Sequence, residues 1–201
     1  MNITSEAQLR ELYGWPKGRA KSKVLSQLEK HSKHFISLSP FFIMSTSNQE
    51  GQLDASPRGG SPGFVKVLDD TTLLFPDAKG NNRVDSLINL VENGQIGCLF
   101  FIPGIDETLR INGSATITTN PEYIHLFHEE QNPPKTCIKI AIEEVFLHCA
   151  KALMRSKLWG DAHRVERPGF PTMGRMLNEQ LGLGASTESQ EDMLKRYQQD
   201  L

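Results

Sequence analysis

The segment Glu107 to Thr118 constrains this chain more than any other. Leu109, Ile111, Gly113, Ala115 and Ile117 alternate there with Thr108, Arg110, Asn112, Ser114, Thr116 and Thr118. Successive residues of a strand point to opposite faces, so this period of two predicts a long strand with one face in a core and one continuously polar. Such a half-buried strand belongs in an antiparallel sheet. Neighbours are at hand. Gln95 to Ile102 is apolar on both faces and reads as a central strand. Phe41 to Ser47 and Gln52 to Ser56 flank the turn Asn48 to Gly51, and Phe64 to Leu68 and Thr72 to Phe75 flank Asp69-Asp70. Thr136 to Glu143 alternates through Ile138, Ile140 and Ile142, and Val145 to Cys149 resumes after a phase change at Glu143-Glu144 that signals a bulge.

Helical periodicity is brief or terminal. Ser5 with Gln8 forms a capping box ahead of Leu9 and Leu12, and Gly14-Trp15-Pro16 ends that helix. A second helix is expected over Lys17 to His31, with Val24, Leu25 and Leu28 under a solvated basic face. Arg83 to Glu92 carries Val84, Leu87, Ile88 and Val91 at helical spacing, and Pro121 to His128 reads as a short helix. The chain turns helical after Ala150, is irregular from Trp159 to Phe170, and ends in helices over Thr172 to Leu181 and Ser186 to Gln199. The expectation is a mainly β single domain over 1–201: a six- or seven-stranded antiparallel barrel over 35–150, a helical extension over 1–34 and a helical region over 151–201. GxGxxG is absent, and Gly59-Gly60-Ser61-Pro62-Gly63 lacks a following Lys-Ser/Thr, which excludes a Rossmann domain and a P-loop NTPase.

Charge and apolar runs narrow the partners. A formal charge of -2 from 22 basic and 24 acidic residues gives no reason to expect nucleic acid or an anionic membrane. The run Ile96 to Pro103 is far short of the roughly 20 residues of a membrane helix, and the opening MNITSEAQLREL has no basic segment followed by an apolar one, so the expected location is the cytoplasm. Cys98, Cys137 and Cys149 make neither a disulfide framework nor a CxxC pair, and each reads as a buried small hydrophobe. His125 and His128, beside Glu129 and Glu130, lack a third ligand at a metal-binding spacing, so no metal is expected.

Two segments have the chemistry of anion sites. In Ser56-Pro57-Arg58-Gly59-Gly60 an Arg that can take a phosphate bidentately stands beside glycines that admit close backbone approach. In Gly80-Asn81-Asn82-Arg83-Val84-Asp85-Ser86 polar groups gather where a helix begins, at the positive end of its dipole. Either alone also fits a turn with a surface Arg. A third cluster, His148-Cys149-Ala150-Lys151 with Arg155 and Trp159, is cationic and aromatic; Lys151 and Arg155 share a helix face, which fits a binding wall or ordinary packing and surface charge.

The stretch LLFPDAKGNNRVDSLINLVENGQIGCLFFIPGIDETLRINGSATI, preceded by DASPRGG and followed by HCAKALMRSKLW, resembles the FMN-binding split-barrel family related to pyridoxamine 5'-phosphate oxidase, in its subfamily of predicted flavin-nucleotide-binding proteins. The resemblance covers roughly residues 35 to 160. It implies FMN as cofactor, with Ser56, Arg58, Asn82, Arg83 and Ser86 around the phosphate and Phe75, Pro76 and Asp77 beside the isoalloxazine ring. It also implies that Thr108 contacts the flavin, with Arg110 on the same face, and that a homodimer places Lys151, Arg155 and Trp159 of one chain over the flavin of the other. The chain lacks the Arg-x-x-Leu-Leu-Lys strand and the terminal Trp-Arg and Arg-Leu motif of true pyridoxamine phosphate oxidases, so pyridoxal phosphate synthesis is not expected. The resemblance implies an FMN-dependent oxidoreductase acting on an unidentified small molecule or reduced nicotinamide; the alternative is a non-catalytic flavin or haem carrier or sensor on the same barrel.

Overall fold

The alternation of Glu107 to Thr118 becomes the spine of one sheet. The computed structural model describes residues 2–129, 131–184 and 188–200. Its strands are β1 (Phe41–Ser47), β2 (Leu53–Gly59), β3 (Lys66–Asp69), β4 (Thr72–Pro76), β5 (Gln95–Ile102), β6 (Ile105–Thr118) and β7 (Cys137–His148). They form a seven-stranded antiparallel sheet in the order β2-β1-β5-β6-β7-β4-β3, as the mainly β reading requires. The inward residues of the alternating strands, among them Phe42, Met44, Phe75, Phe100, Leu109, Ile111, Ile138 and Ile140, make one apolar core. Phe42 sits at its centre, 4.8 Å from the Phe100 ring and 5.1 Å, edge-on, from that of Phe75, geometries that add to simple burial. A smaller cluster of Leu74, Phe127 and Cys137 lies apart from it.

The helices are α1 (Glu6–Tyr13), α2 (Arg19–Ser22), α3 (Lys30–Leu38), α4 (Asp85–Glu92), α5 (Pro121–His125), α6 (Lys151–Ser156), α7 (Met173–Leu181) and α8 (Gln190–Gln198), with 3₁₀ turns at Asp161–His163 and Arg167–Gly169. Ser5 caps α1 by accepting from the Gln8 amide, as its capping box predicts, and Gly14 ends it. The helix expected over Lys17 to His31 is not there. Leu25 exchanges both backbone hydrogen bonds with Val145, at 3.0 and 2.8 Å, so the sheet claims the middle of that segment. Only α2 remains of it, and a new helix, α3, starts behind the Glu29 cap and buries Phe35 and Ile36. Tertiary pairing overrides local propensity here. Cys149 is exposed, contrary to the expectation of a buried thiol, because it lies beyond the end of β7; Cys98 and Cys137 are buried. The start expected for the last helix, Ser186, lies outside the described residues, and α8 begins behind a Ser189 cap. Its far end is tied to the barrel by Lys79 Nζ, 2.5 Å from Asp200 Oδ1.

The bulge expected at Glu143-Glu144 is present. Asn112 pairs with Glu144 and Gly113 with Ile142, which leaves Glu143 unpaired and keeps Ile142 and Val145 both facing the core. The kink brings the backbones so close that a Cβ on Gly113 would lie 2.0 Å from the Ala141 carbonyl oxygen, a contact no side-chain rotation relieves. Gly113→Ala should therefore cost more than about 2 kcal/mol in urea unfolding, by overpacking against rigid backbone. Gly97→Ala, whose Cβ would first meet the Asn112 amide oxygen at 3.4 Å, should cost less than about 1 kcal/mol. Equal losses in the two variants would contradict this account of the bulge.

Candidate functional site

The strand β2 lies at the edge of the sheet and alternates without apolar residues on its inward side: Asp54, Ser56 and Arg58 are half-buried between exposed neighbours. Pro57, which has no N–H to donate, is tolerated because the strand has a free edge. Facing this polar row are the loop after β4 and the first turn of α4. Together they enclose a polar cleft of about 230 Å³ lined by Asp54, Ser56, Arg58, Asp77, the loop from Gly80 to Val84, and Ser86.

Arg58 is the centre of the cleft. Its Nη2 lies 3.4 Å from Ser86 Oγ and its Nη1 3.8 Å from Asp77 Oδ1, while Ser86 Oγ donates to Asp54 Oδ2. The Arg58 side chain is 20% exposed, and its Nε is buried with no partner among the described residues. A buried guanidinium N–H left unpaired costs free energy, so the cleft is short of an acceptor. Burial raises the Asp77 carboxyl above the usual carboxylate range, against the opposing pull of Arg58.

The α4 end of the cleft is also short of acceptors. Val84, the residue before the helix, makes no side-chain cap, so the first N–H groups of α4 keep the orphan character of a helix start. Val84 holds φ 52 and Asn82 φ 61. The left-handed region is tolerable for Asn but strained for β-branched Val, and strain held in a loop that lines a cleft points to function. Arg83 Nε pairs with Asp85 Oδ2 at 2.8 Å at the rim, with its side chain 74% exposed.

The two anion segments read from the sequence therefore meet in space: Ser56 and Arg58 from one, Asn82, Arg83 and Ser86 from the other, with Asp77 between them. Phe75 does not present its ring here, since that ring is packed in the core against Phe42, and Pro76 is half-buried at the end of β4. Thr108 and Arg110 are not cleft residues; they lie on the polar outer face of β6, opposite His148 and Phe146 of β7. Lys151 and Arg155 are exposed on α6. Trp159 donates from Nε1 to the Ile105 carbonyl of its own chain at 2.9 Å and, with Phe41, Ile43, Phe101, Pro103 and Leu158, lines an apolar groove of about 410 Å³. Asp54 was missed by the sequence reading, although it shares a strand face with Ser56 and Arg58 by simple alternation. Among the described residues no group of three or more His, Cys, Asp or Glu gathers as a metal site would require, and Glu130 lies outside them. No helix among them is long and apolar enough to cross a membrane.

Similar solved structures include the HupZ protein of Group A Streptococcus, 22% identical, with 60% of this chain and 93% of that one covered at a TM-score of 0.50. A histidine-to-alanine variant of that protein is 21% identical over 60% and 98%, at a TM-score of 0.51. An FMN-binding protein from Syntrophomonas wolfei is 12% identical over 58% and 88%, at a TM-score of 0.46. No curated protein matches the sequence. The family model described as pyridoxamine 5'-phosphate oxidase matches residues 28–149, from the buried Leu28 to the end of β7 and including the whole cleft. The chain belongs to the pyridoxamine 5'-phosphate oxidase family.

Proposed function

We propose that the protein is an FMN-binding oxidoreductase that holds the flavin phosphate in the polar cleft and acts on a small molecule. The observation that carries this reading is the buried, unpartnered Nε of Arg58 beside the uncapped start of α4. A phosphate offers acceptors to both at once, and Ser56, Ser86 and the Asn82 to Val84 backbone supply further polar contacts. Bound FMN would supply the two-electron chemistry, and the protein needs only to bind, orient and tune it. Membership of the family supports the choice of cofactor.

Arg58→Ala is expected to weaken FMN binding by roughly 1 to 3 kcal/mol, the range for removing a charge-assisted partner. Arg83→Ala should cost less than about 1 kcal/mol, because exposed paired charges contribute little. Fluorescence titration of FMN against the two variants checks both. Unchanged affinity in Arg58→Ala would refute the site.

Asp77 sets the pH dependence. Its carboxyl titrates above the usual carboxylate range, so as pH falls toward that value it loses its charge before an ordinary Asp would. Neutralisation frees Arg58 and removes repulsion of a phosphate. On acidification, neutralisation of Asp77 should therefore offset part of the affinity that is lost as the phosphate takes up its own proton. Asp77→Asn should bind FMN more tightly than the native chain at neutral pH and lose the part of the pH profile due to Asp77. Weaker binding by Asp77→Asn would mean the carboxylate helps to hold the ligand.

We further propose a homodimer. The outer face of β1 and β2 exposes Phe41 and Leu53, and the apolar groove beside Trp159 opens on the β1 and β5 side. Apolar area of this kind marks an interface. A second copy covering it would bring its own Lys151, Arg155 and Trp159 toward the shared face. Sedimentation should give twice 22.5 kDa, with Ile43→Asp shifting the protein to monomer. A native chain that stays monomeric at micromolar concentration and still takes up one FMN would exclude the dimer.

A further inference from the structure

On the outer face of β6 and β7 a second group of cations gathers, away from the polar cleft. Phe146 stands opposite Arg110 and His148 opposite Thr108. The Arg110 guanidinium lies 4.1 Å over the Phe146 ring, the Lys23 ammonium 4.8 Å from the same ring, and the His148 ring 4.9 Å from it. The nearby acid is Glu144, and it is partly committed: it accepts from Asn112 Nδ2 at 3.0 Å, while Arg110 Nη2 stays 3.8 Å away. Arg110 Nε is buried and has no partner among the described residues. Lys23 is anchored from outside the sheet, donating to the Leu147 carbonyl at 2.9 Å.

We propose that Arg110, His148 and Lys23 form an oxyanion subsite around Phe146, which takes the carboxylate or phosphate of a small-molecule substrate. Gathering like charges on one ring is unfavourable unless something of opposite sign offsets it. Glu144 balances one of the two permanent charges and leaves Arg110 Nε unserved. A planar fork, a ring N–H and an ammonium held by the Leu147 carbonyl, gathered around one ring from β6, β7 and the N-terminal segment, can serve one oxyanion. His148 carries the mark of the missing charge: its basicity is lowered by burial and then by Arg110 and Lys23, with no acid acting on it. The subsite rests on the flavin reading only in assigning the anion to a substrate; the binding event itself does not.

His148 reports on the subsite directly. In the full-length chain, its ring C–H signal is followed by NMR while sodium phosphate or sodium acetate is added, against sodium chloride at equal ionic strength. His31, His34, His125, His128 and His163 serve as internal controls. A bound anion stabilises the imidazolium, so one or both anions should shift the His148 signal saturably and move its titration upward, leaving the controls with chloride-like responses. The anion that binds more tightly identifies the class. Arg110→Gln, which keeps the length and polarity of the side chain, should weaken that anion about tenfold or more. The response should persist in Arg58→Ala, so that failure of the flavin site and failure of this subsite are separately visible. A His148 response equal to that in chloride, or undiminished in Arg110→Gln, would overturn the proposal.

Discussion

An edge strand cannot turn charged side chains toward the inside of a barrel unless polar groups meet them, and β2 turns Asp54, Ser56 and Arg58 inward. The rest of the architecture follows from that demand. β1 beside it closes the core with Phe42 and Met44, so the apolar interior ends one strand short of the sheet's edge. The gap is filled by the loop after β4 and by α4, whose buried Leu90 joins the core while Ser86 turns to Arg58 and Asp54. A helix that packs by one face and offers its bare start to the cleft is what a phosphate needs.

The sheet thus has two working sides. Inside, Arg58 is held between the Asp77 carboxylate and the Ser86 hydroxyl, with one N–H still unserved. Outside, β1 and β5 present an apolar strip and β6 and β7 a basic one, so one surface offers both a contact area and a polar pocket. The bulge at Glu143 joins these sides. By adding a residue where Gly113 leaves room, it keeps Val145 in the core and points Glu144, Phe146 and His148 outward beside Arg110 and Asn112.

Most of this was legible because period carries it. The alternation in β6 and β7, the phase slip between Glu143 and Glu144 and the helical stripe of α4 each correspond to an observed element. The cleft was legible for a different reason: Arg, Asn and Gly in two turn-rich segments name an anion site wherever the fold brings them together, and the fold does so. Long-range pairing was not legible. The stretch from Lys17 to His31 has a helical stripe, yet Leu25 joins Val145 across more than a hundred residues of chain, and nothing local announces that. Asp54 carries no sign of its role in the sequence, since an acid adds repulsion at an anion site, and only the Ser86 hydroxyl that donates to it shows what it does there. Thr108 and Arg110 were placed on the correct strand, but only the register with His148 and Phe146 shows which neighbours they have.

The central claim is that the phosphate anchors the flavin. Comparing the affinities of FMN and riboflavin for the native chain tests it most directly, since the two differ only in that group. Several charge-assisted hydrogen bonds to the phosphate predict that FMN binds roughly a hundredfold more tightly, with the difference shrinking as salt is raised. Equal affinities for the two flavins would contradict the account.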